Sequence, residues 1–424
     1  MRLRGAIAIV VLVAVLVAGC GGGSTSTGAA GRGAAGPEEE GIFAVGGAGP
    51  PPADGGAPLR GARLRAAEAR HVWEGELVTG DEGWVRSGVG IFSTPDGGQT
   101  WRPITPPAPA ATGIHGIYFA SPLRGWGLYE PGREGDARPS IYRTSDGGRT
   151  WHHTRLRAYD KFVMPASKVS FSLVDGHELF ALVKASGDTA SNFGSLFVSR
   201  DSGRHWRALP TPPQAGRIAF ETPRRGWLAS GRPGPALYRT VDGGRTWANV
   251  EPGRPHDLPP PKGGESEGFE EDFGGHEWSA AYSTPLIGPD GHGILGMVES
   301  GGYEDAARTV ILRTGDYGRT WHRRDRLDLP GMSLESFFEA DEVFIRRGRS
   351  RSFLVEGPRG AAYVVGPDGL GRPLRPVRGL PRDSTGFTLS DARHGFAFPT
   401  FSNRSTLSFT ADGGRDWTQV PVPR

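Results

Sequence analysis

The most regular chemistry in this sequence is carried by six aspartates: Asp96, Asp146, Asp201, Asp242, Asp316 and Asp412. Each has a Ser or Thr two residues before it and a Gly two residues after it. Each also has a Trp five residues on: Trp101, Trp151, Trp206, Trp247, Trp321 and Trp417. A carboxylate among hydroxyls and main-chain amides has two uses. With a pKa tuned toward neutrality it is a general acid or base. Alternatively it accepts hydrogen bonds from the backbone N–H groups one to three residues on and closes an Asx-type turn. Six copies in one chain favour the turn, because one site needs only one or two acids. In this reading the glycine supplies a backbone angle that other residues resist. The hydroxyl bonds across the turn. The tryptophan packs where neighbouring units meet, with its N–H on a backbone partner.

The elements that must position these turns follow from their spacing. The aspartates recur every 41 to 55 residues, apart from gaps of 74 and 96. The longest gap contains a decayed copy, "YVVGPDGLGRPLRPV", centred on Asp368 and lacking the tryptophan and the upstream hydroxyl. A second motif precedes several copies: "IYFASPLRGWGLY" at 117–129, "IAFETPRRGWLAS" at 218–230 and "FTLSDARHGFAFP" at 387–399. Each unit then reads as four short strands, and no long stretch shows helical period. Units of this size cannot bury their own faces and must stack on one another. The expected fold is all-β, a seven-bladed β-propeller of four-stranded antiparallel blades. The blades fall near 66–107, 112–158, 166–211, 215–252, 276–329, 332–380 and 383–424. An apolar run, "GIFAV" at 41–45, is a candidate extra strand and a candidate for closing the ring.

Other chemistries find little support. The basic and acidic residues number 49 and 46, interleaved, for a net charge of +3, so there is no nucleic-acid footprint. The 11 histidines lack the spacing of zinc sites. "PDGHG" at 289–293 reads as a turn, and no Gly-x-Ser-x-Gly elbow occurs. No cofactor, metal or catalytic residue is assigned. Tyr303 beside Glu304 reads as part of a loop in the fifth unit.

The N-terminus, "MRLRGAIAIVVLVAVLVAGC", starts with Arg2 and Arg4, continues with a short apolar run, and ends with small residues before Cys20, the only cysteine. It resembles the lipobox of bacterial lipoproteins. The resemblance implies export, lipid attachment at Cys20 and cleavage before it, with the body held outside the cytoplasm at a membrane surface. Residues 1–19 are then a signal peptide. Residues 20–65, rich in Gly, Ala and Pro, are a flexible tether, and 66–424 form the propeller.

The repeated turn resembles the Asp box, or BNR repeat, of sialidases and related propellers, over about 66–424. That family implies boxes on the outer rim, away from the axial face that carries active sites. The sialidase Phe/Tyr-Arg-Ile-Pro motif has no match between 66 and 96. The two-part unit resembles most the propellers of photosystem II assembly factors, which implies a non-catalytic scaffold for another protein. The expected function is therefore a monomeric, lipid-anchored binding module whose partner is an envelope protein. The alternative is a sialidase-like glycoside hydrolase or glycan-binding propeller. Two segments depart from the repeat and are candidate partner contacts. One is the acidic insertion 262–278 with Phe269, Glu270, Glu271 and Phe273. The other is "IRRGRSR" at 345–351 with Arg346, Arg347, Arg349 and Arg351.

Overall fold

A computed structural model of the chain describes residues 41–44, 59–60, 72–107, 113–130, 139–157, 166–185, 193–230, 236–250, 252, 279–300, 308–327, 344–347, 353–356, 362–365, 384–391, 393–399 and 407–422. Residues 39–424 form one compact unit. Among the described residues every regular element is a strand, and the strands make seven antiparallel sheets.

The sheets follow one another along the chain, each a meander. The first comprises Val72–Leu77, Gly83–Ser87, Gly90–Thr94 and Thr100–Pro103. The second comprises Ile114–Phe119, Gly125–Tyr129, Ser140–Thr144 and Thr150–Arg155. The third runs from Ala166 to Ala208, the fourth from Arg217 to Val250, the fifth from Ser279 to Leu327 and the seventh from Ser384 to Val420. The sixth has three described strands, Phe344–Arg347, Phe353–Glu356 and Ala362–Val365.

Burial falls from the inner strands of a sheet to its outer one. The second strands Gly125–Tyr129 and Gly226–Ser230 are buried at every position. Both of their faces are therefore covered, and they read as apolar runs rather than as alternation. The outer strands Arg207–Ala208 and Ala248–Val250 are mostly exposed. The cover comes from neighbouring sheets. Ile91 and Ile104 of the first sheet share a cluster with Tyr142 and Trp151 of the second. Leu128 and Ile141 meet Leu179 and Phe197 of the third. Phe180 of the third stacks on Phe220 of the fourth at 3.6 Å between ring centres. Trp227 and Leu237 of the fourth meet Leu295 and Leu312 of the fifth. The seventh packs on the first, with Phe396, Leu407 and Val420 against Val85, Phe92 and Trp101. The Trp101 indole N–H donates to the Pro421 carbonyl across that joint.

Two stretches ahead of the first sheet add strands to outer edges. Gly41–Ala44 pairs antiparallel with the fourth strand of the second sheet, Ile42 opposite His152 and Phe43 opposite Trp151. Leu59–Arg60 pairs with the fourth strand of the first sheet, Leu59 opposite Trp101. The apolar run at 41–45 thus forms a strand, but on the second sheet. It does not join the last one, whose described strands all come from the C-terminal 384–420.

Candidate functional site

In each four-stranded meander the first and third turns share one end, and the second turn and the link to the next sheet share the other. The Asp turns occupy the third-turn position, so they lie beside the first turn of their own sheet. The two are bonded together. The N–H one residue after the Asp donates to a first-turn carbonyl: Gly97 to Asp81, Gly147 to Leu123, Ser202 to His177, Gly243 to Arg224, Tyr317 to Gly291 and Gly413 to Arg393, all at 2.7–3.0 Å. The pairing explains why the two sequence motifs travel together.

Within a turn the third strand ends on a buried hydroxyl: Thr94, Thr144, Ser199, Thr240, Thr314 or Thr410. In the second sheet Thr144 Oγ1 donates to Asp146 Oδ1 at 2.8 Å and accepts the Gly148 N–H at 2.8 Å. Asp146 Oδ1 accepts the Thr150 N–H at 2.9 Å, and Oδ2 accepts the Thr150 hydroxyl at 2.6 Å. The same set recurs at Asp96, Asp242 and Asp316 with Thr100, Thr246 and Thr320. In the third sheet His205 replaces that threonine, and its Nδ1 lies 2.6 Å from Asp201 Oδ2. In the seventh the residue is Asp416, whose N–H bonds to Asp412. The amide donors sit three and four residues beyond the Asp, the nearer within the one to three expected from sequence and the farther just past it.

These bonds set the charge. Burial raises the Asp96 and Asp146 carboxyls, but the threonine hydroxyl and amide donors outweigh it and hold both below the usual carboxylate range. Asp201 is lowered in the same way, with His205 as the main donor. Asp242 is lowered to about 2. At Asp316 the Thr320 hydroxyl leads the lowering, and at Asp412 the Asp416 amide does. A carboxylate held this low remains ionised at neutral pH, with its lone pairs engaged in its own turn.

The turns also join sheet to sheet. The glycine two residues after the Asp has positive φ in all six turns, and in five of them it presses on the preceding sheet. A Cβ at Gly148 would lie 2.7 Å from Ile104 Cβ, and one at Gly203 would lie 2.7 Å from Trp126 Nε1. Trp126 in turn donates to the Ser202 carbonyl at 2.9 Å. Between the fourth and fifth sheets the joint differs. Trp227 donates to Glu221 Oε1 at 2.6 Å, and the Arg225 guanidinium covers the Tyr317 ring at 4.3 Å.

The six Asp-turn tryptophans divide into two kinds. Trp101 and Trp151 are fully buried and bond to carbonyls of the preceding sheet in the ring, Pro421 and Ile104. Trp206, Trp247, Trp321 and Trp417 are only partly buried. Trp206 and Trp417 turn their N–H onto a glycine carbonyl of their own turn. The buried indole N–H groups of Trp247 and Trp321 have no hydrogen-bond partner among the described residues.

Of the remaining candidate residues the structure describes Arg346 and Arg347 alone. Cys20, Asp368, Phe269, Glu270, Glu271, Phe273, Arg349 and Arg351 lie outside the described residues. Arg346 and Arg347 fall in the first strand of the sixth sheet, opposite Leu354 and Phe353. The insertion 262–278 links the fourth sheet to the fifth, whereas residues 348–352 join the first two strands of the sixth. By strand alternation the strand ends flanking these two segments belong to opposite ends of their sheets. Among the described residues no group of three or more His, Cys, Asp or Glu is placed to hold a metal ion.

No protein-family model matches the chain, and no curated protein matches it in sequence. Solved structures do match. A GH74 xyloglucanase from Xanthomonas campestris aligns over 85% of this chain with a TM-score of 0.52 and 15% identity. The chain spans 55% of the xyloglucanase's length. YCF48 bound to D1 peptide aligns over 82% of this chain and 92% of its own, with a TM-score of 0.46 and 16% identity. An alpha-L-arabinanase from Penicillium chrysogenum aligns over 73% of this chain and 96% of its own, with a TM-score of 0.44 and 12% identity. These neighbours are β-propeller proteins. The meander sheets, the sheet-on-sheet cores and the likeness to the xyloglucanase identify the class of this chain as an all-β protein of β-propeller fold.

Proposed function

We propose that this chain is a seven-bladed Asp-box propeller that binds another protein of the bacterial cell envelope without catalysing a reaction, and that a lipid on Cys20 holds it to a membrane outside the cytoplasm. The observation that carries this reading is the state of the repeated acids. In each of the six described copies the carboxylate accepts bonds within its own turn and its pKa is lowered. The repeated residues therefore build joints, and recognition falls to the segments that break the repeat, 262–278 and 345–351. The first is an acidic run with two phenylalanines, and the second an arginine-rich run.

Photo-crosslinking from position 269 in intact membranes tests the binding role. A single envelope protein is expected, lost in Glu270→Lys/Glu271→Lys and kept in Asp146→Ala. The alternative, a glycan-cleaving propeller, would replace this reading if the purified chain hydrolysed a sialoside and a substitution away from the Asp turns abolished that activity. The anchor has its own test. Cys20→Ser is expected to move the protein from the membrane to the soluble fraction, and unchanged membrane retention refutes it.

A further inference from the structure

The first and second sheets differ from the other described ones. Their outer edges are covered by strands from the segment that precedes the ring, Leu59–Arg60 on the first and Gly41–Ala44 on the second. Among the described residues the third, fourth and seventh sheets end on two- or three-residue outer strands with nothing paired beyond them. Short outer strands of this kind limit edge-to-edge association. The covered edges are longer, at Thr100–Pro103 and Thr150–Arg155, and each pairs at the tryptophan of its Asp turn. Those two tryptophans are the fully buried pair, Trp101 and Trp151. In the other four turns the outer strand starts only after the tryptophan, which stays partly exposed. Tryptophan burial thus marks the same two sheets, whereas edge length does not: the outer strand of the fifth, His322–Leu327, runs six residues with nothing paired beyond it among the described residues.

We infer that the outer edges of the first and second sheets are a docking surface for the chain's own N-terminal segment, which lies along the rim as a strap. Edge pairing of an extended segment takes its affinity from main-chain hydrogen bonds. Residues 45–58, fourteen in number, span up to about 48 Å when extended, enough to step from one outer edge to the next. The strap runs against the order of the sheets, second sheet first, and delivers the chain to Val72. It rests in part on the anchor reading for its consequence. With Gly41–Ala44 docked, only residues 21–40 are left to link a lipidated Cys20 to the rim, a reach of about 25 Å root-mean-square for a flexible chain. The ring would be held by its rim at the second sheet.

Hydrogen exchange on the full-length protein in detergent tests this. In an antiparallel pair alternate amides face the partner strand, so Ile42→Pro/Phe43→Pro removes at least one bond whatever the register. Outward-facing amides within Thr150–Arg155 are expected to exchange at least tenfold faster in that variant, with those at Thr100–Pro103 unchanged. Leu59→Pro is expected to act on Thr100–Pro103 instead. Equal exchange in parent and variants overturns the strap. So does protection that appears only at high concentration together with a dimer on size exclusion, because the strand would then come from a second copy. Cys20→Ser separates the two readings: it is expected to release the protein from membranes and leave exchange at Thr150–Arg155 unaltered. Membrane retention in that variant refutes the anchor alone.

Discussion

At the scale of single residues, the Asp turn is a set of matched donors and acceptors. Asp146→Ala removes the acceptor for one amide and two hydroxyls, and charge-assisted bonds of this kind contribute about 1–3 kcal/mol. The expected result is a denaturant midpoint lowered by that amount with the crosslinked partner retained; lost partner binding at an unchanged midpoint would reverse the assignment. Glu221 poses the opposite case. Burial raises its carboxyl, against the pull of the Trp227 indole and of Arg225 and Arg239. A folded pKa above the unfolded 4.5 means that the folded state favours the protonated form. The stability this group contributes is fully present below that value and is lost as pH rises through the folded pKa. Glu221→Gln keeps an acceptor for Trp227 and removes the charge. The variant is therefore expected to unfold at a higher temperature than the parent at pH 7 and to lose that advantage near pH 4. An equal difference at both pH values would show that the charge of Glu221 is not involved.

At the scale of elements, the joint between sheets is the unit to perturb. Gly148 and Gly176 both have positive φ, 80° and 74°. A Cβ at Gly148 meets Ile104, whereas one at Gly176 meets nothing within 4 Å. Gly176→Ala is expected to cost about 1–2 kcal/mol for the left-handed backbone alone. Gly148→Ala adds an overpacking penalty of about 1–3 kcal/mol. Equal losses in equilibrium unfolding would mean that the joint yields freely. The same joints show what the sequence could and could not reveal. The repeat made the strand count per unit and the place of the turns legible, because a period-two strand ending in Ser/Thr-x-Asp-x-Gly specifies its own hairpin. The threonine four residues after the Asp was missed, although it stands at Thr100, Thr150, Thr246 and Thr320, because His205 and Asp416 break the pattern. The residue directly after the Asp also has positive φ, but Ser202 and Tyr317 hide that requirement at two of the six copies. Local spacing could not place Gly41–Ala44 on the second sheet, since its partner strand lies more than a hundred residues away. Nor could it separate the two kinds of tryptophan, which depend on what covers the edge.

At the scale of the whole molecule, the Asp turns couple the ring's stability to acid. All six carboxyls are lowered from the ordinary 3.8, Asp242 to about 2. A depressed folded pKa gives stability that is present above the unfolded value and lost as pH falls through the folded one. The unfolded chain therefore binds more protons than the folded chain across the window from about pH 4 down to about pH 2. Five of the six turns press on the preceding sheet, and the seventh sheet closes on the first through Trp101 and Pro421, so a weakened turn loosens a joint. Proton uptake at several turns then acts on one cooperative unit, and the ring is expected to unfold steeply within that window while it tolerates pH 5 to 8. Tryptophan fluorescence and circular dichroism against pH follow the transition, and its slope reports the number of protons taken up. Asp242→Asn keeps an acceptor for the Thr246 amide but cannot take up that proton, so the slope should fall by about one proton while the stability at pH 7 declines. An acid midpoint above pH 5 would place the sensitive group elsewhere. A slope unchanged by Asp242→Asn would mean that the turns do not titrate with the fold.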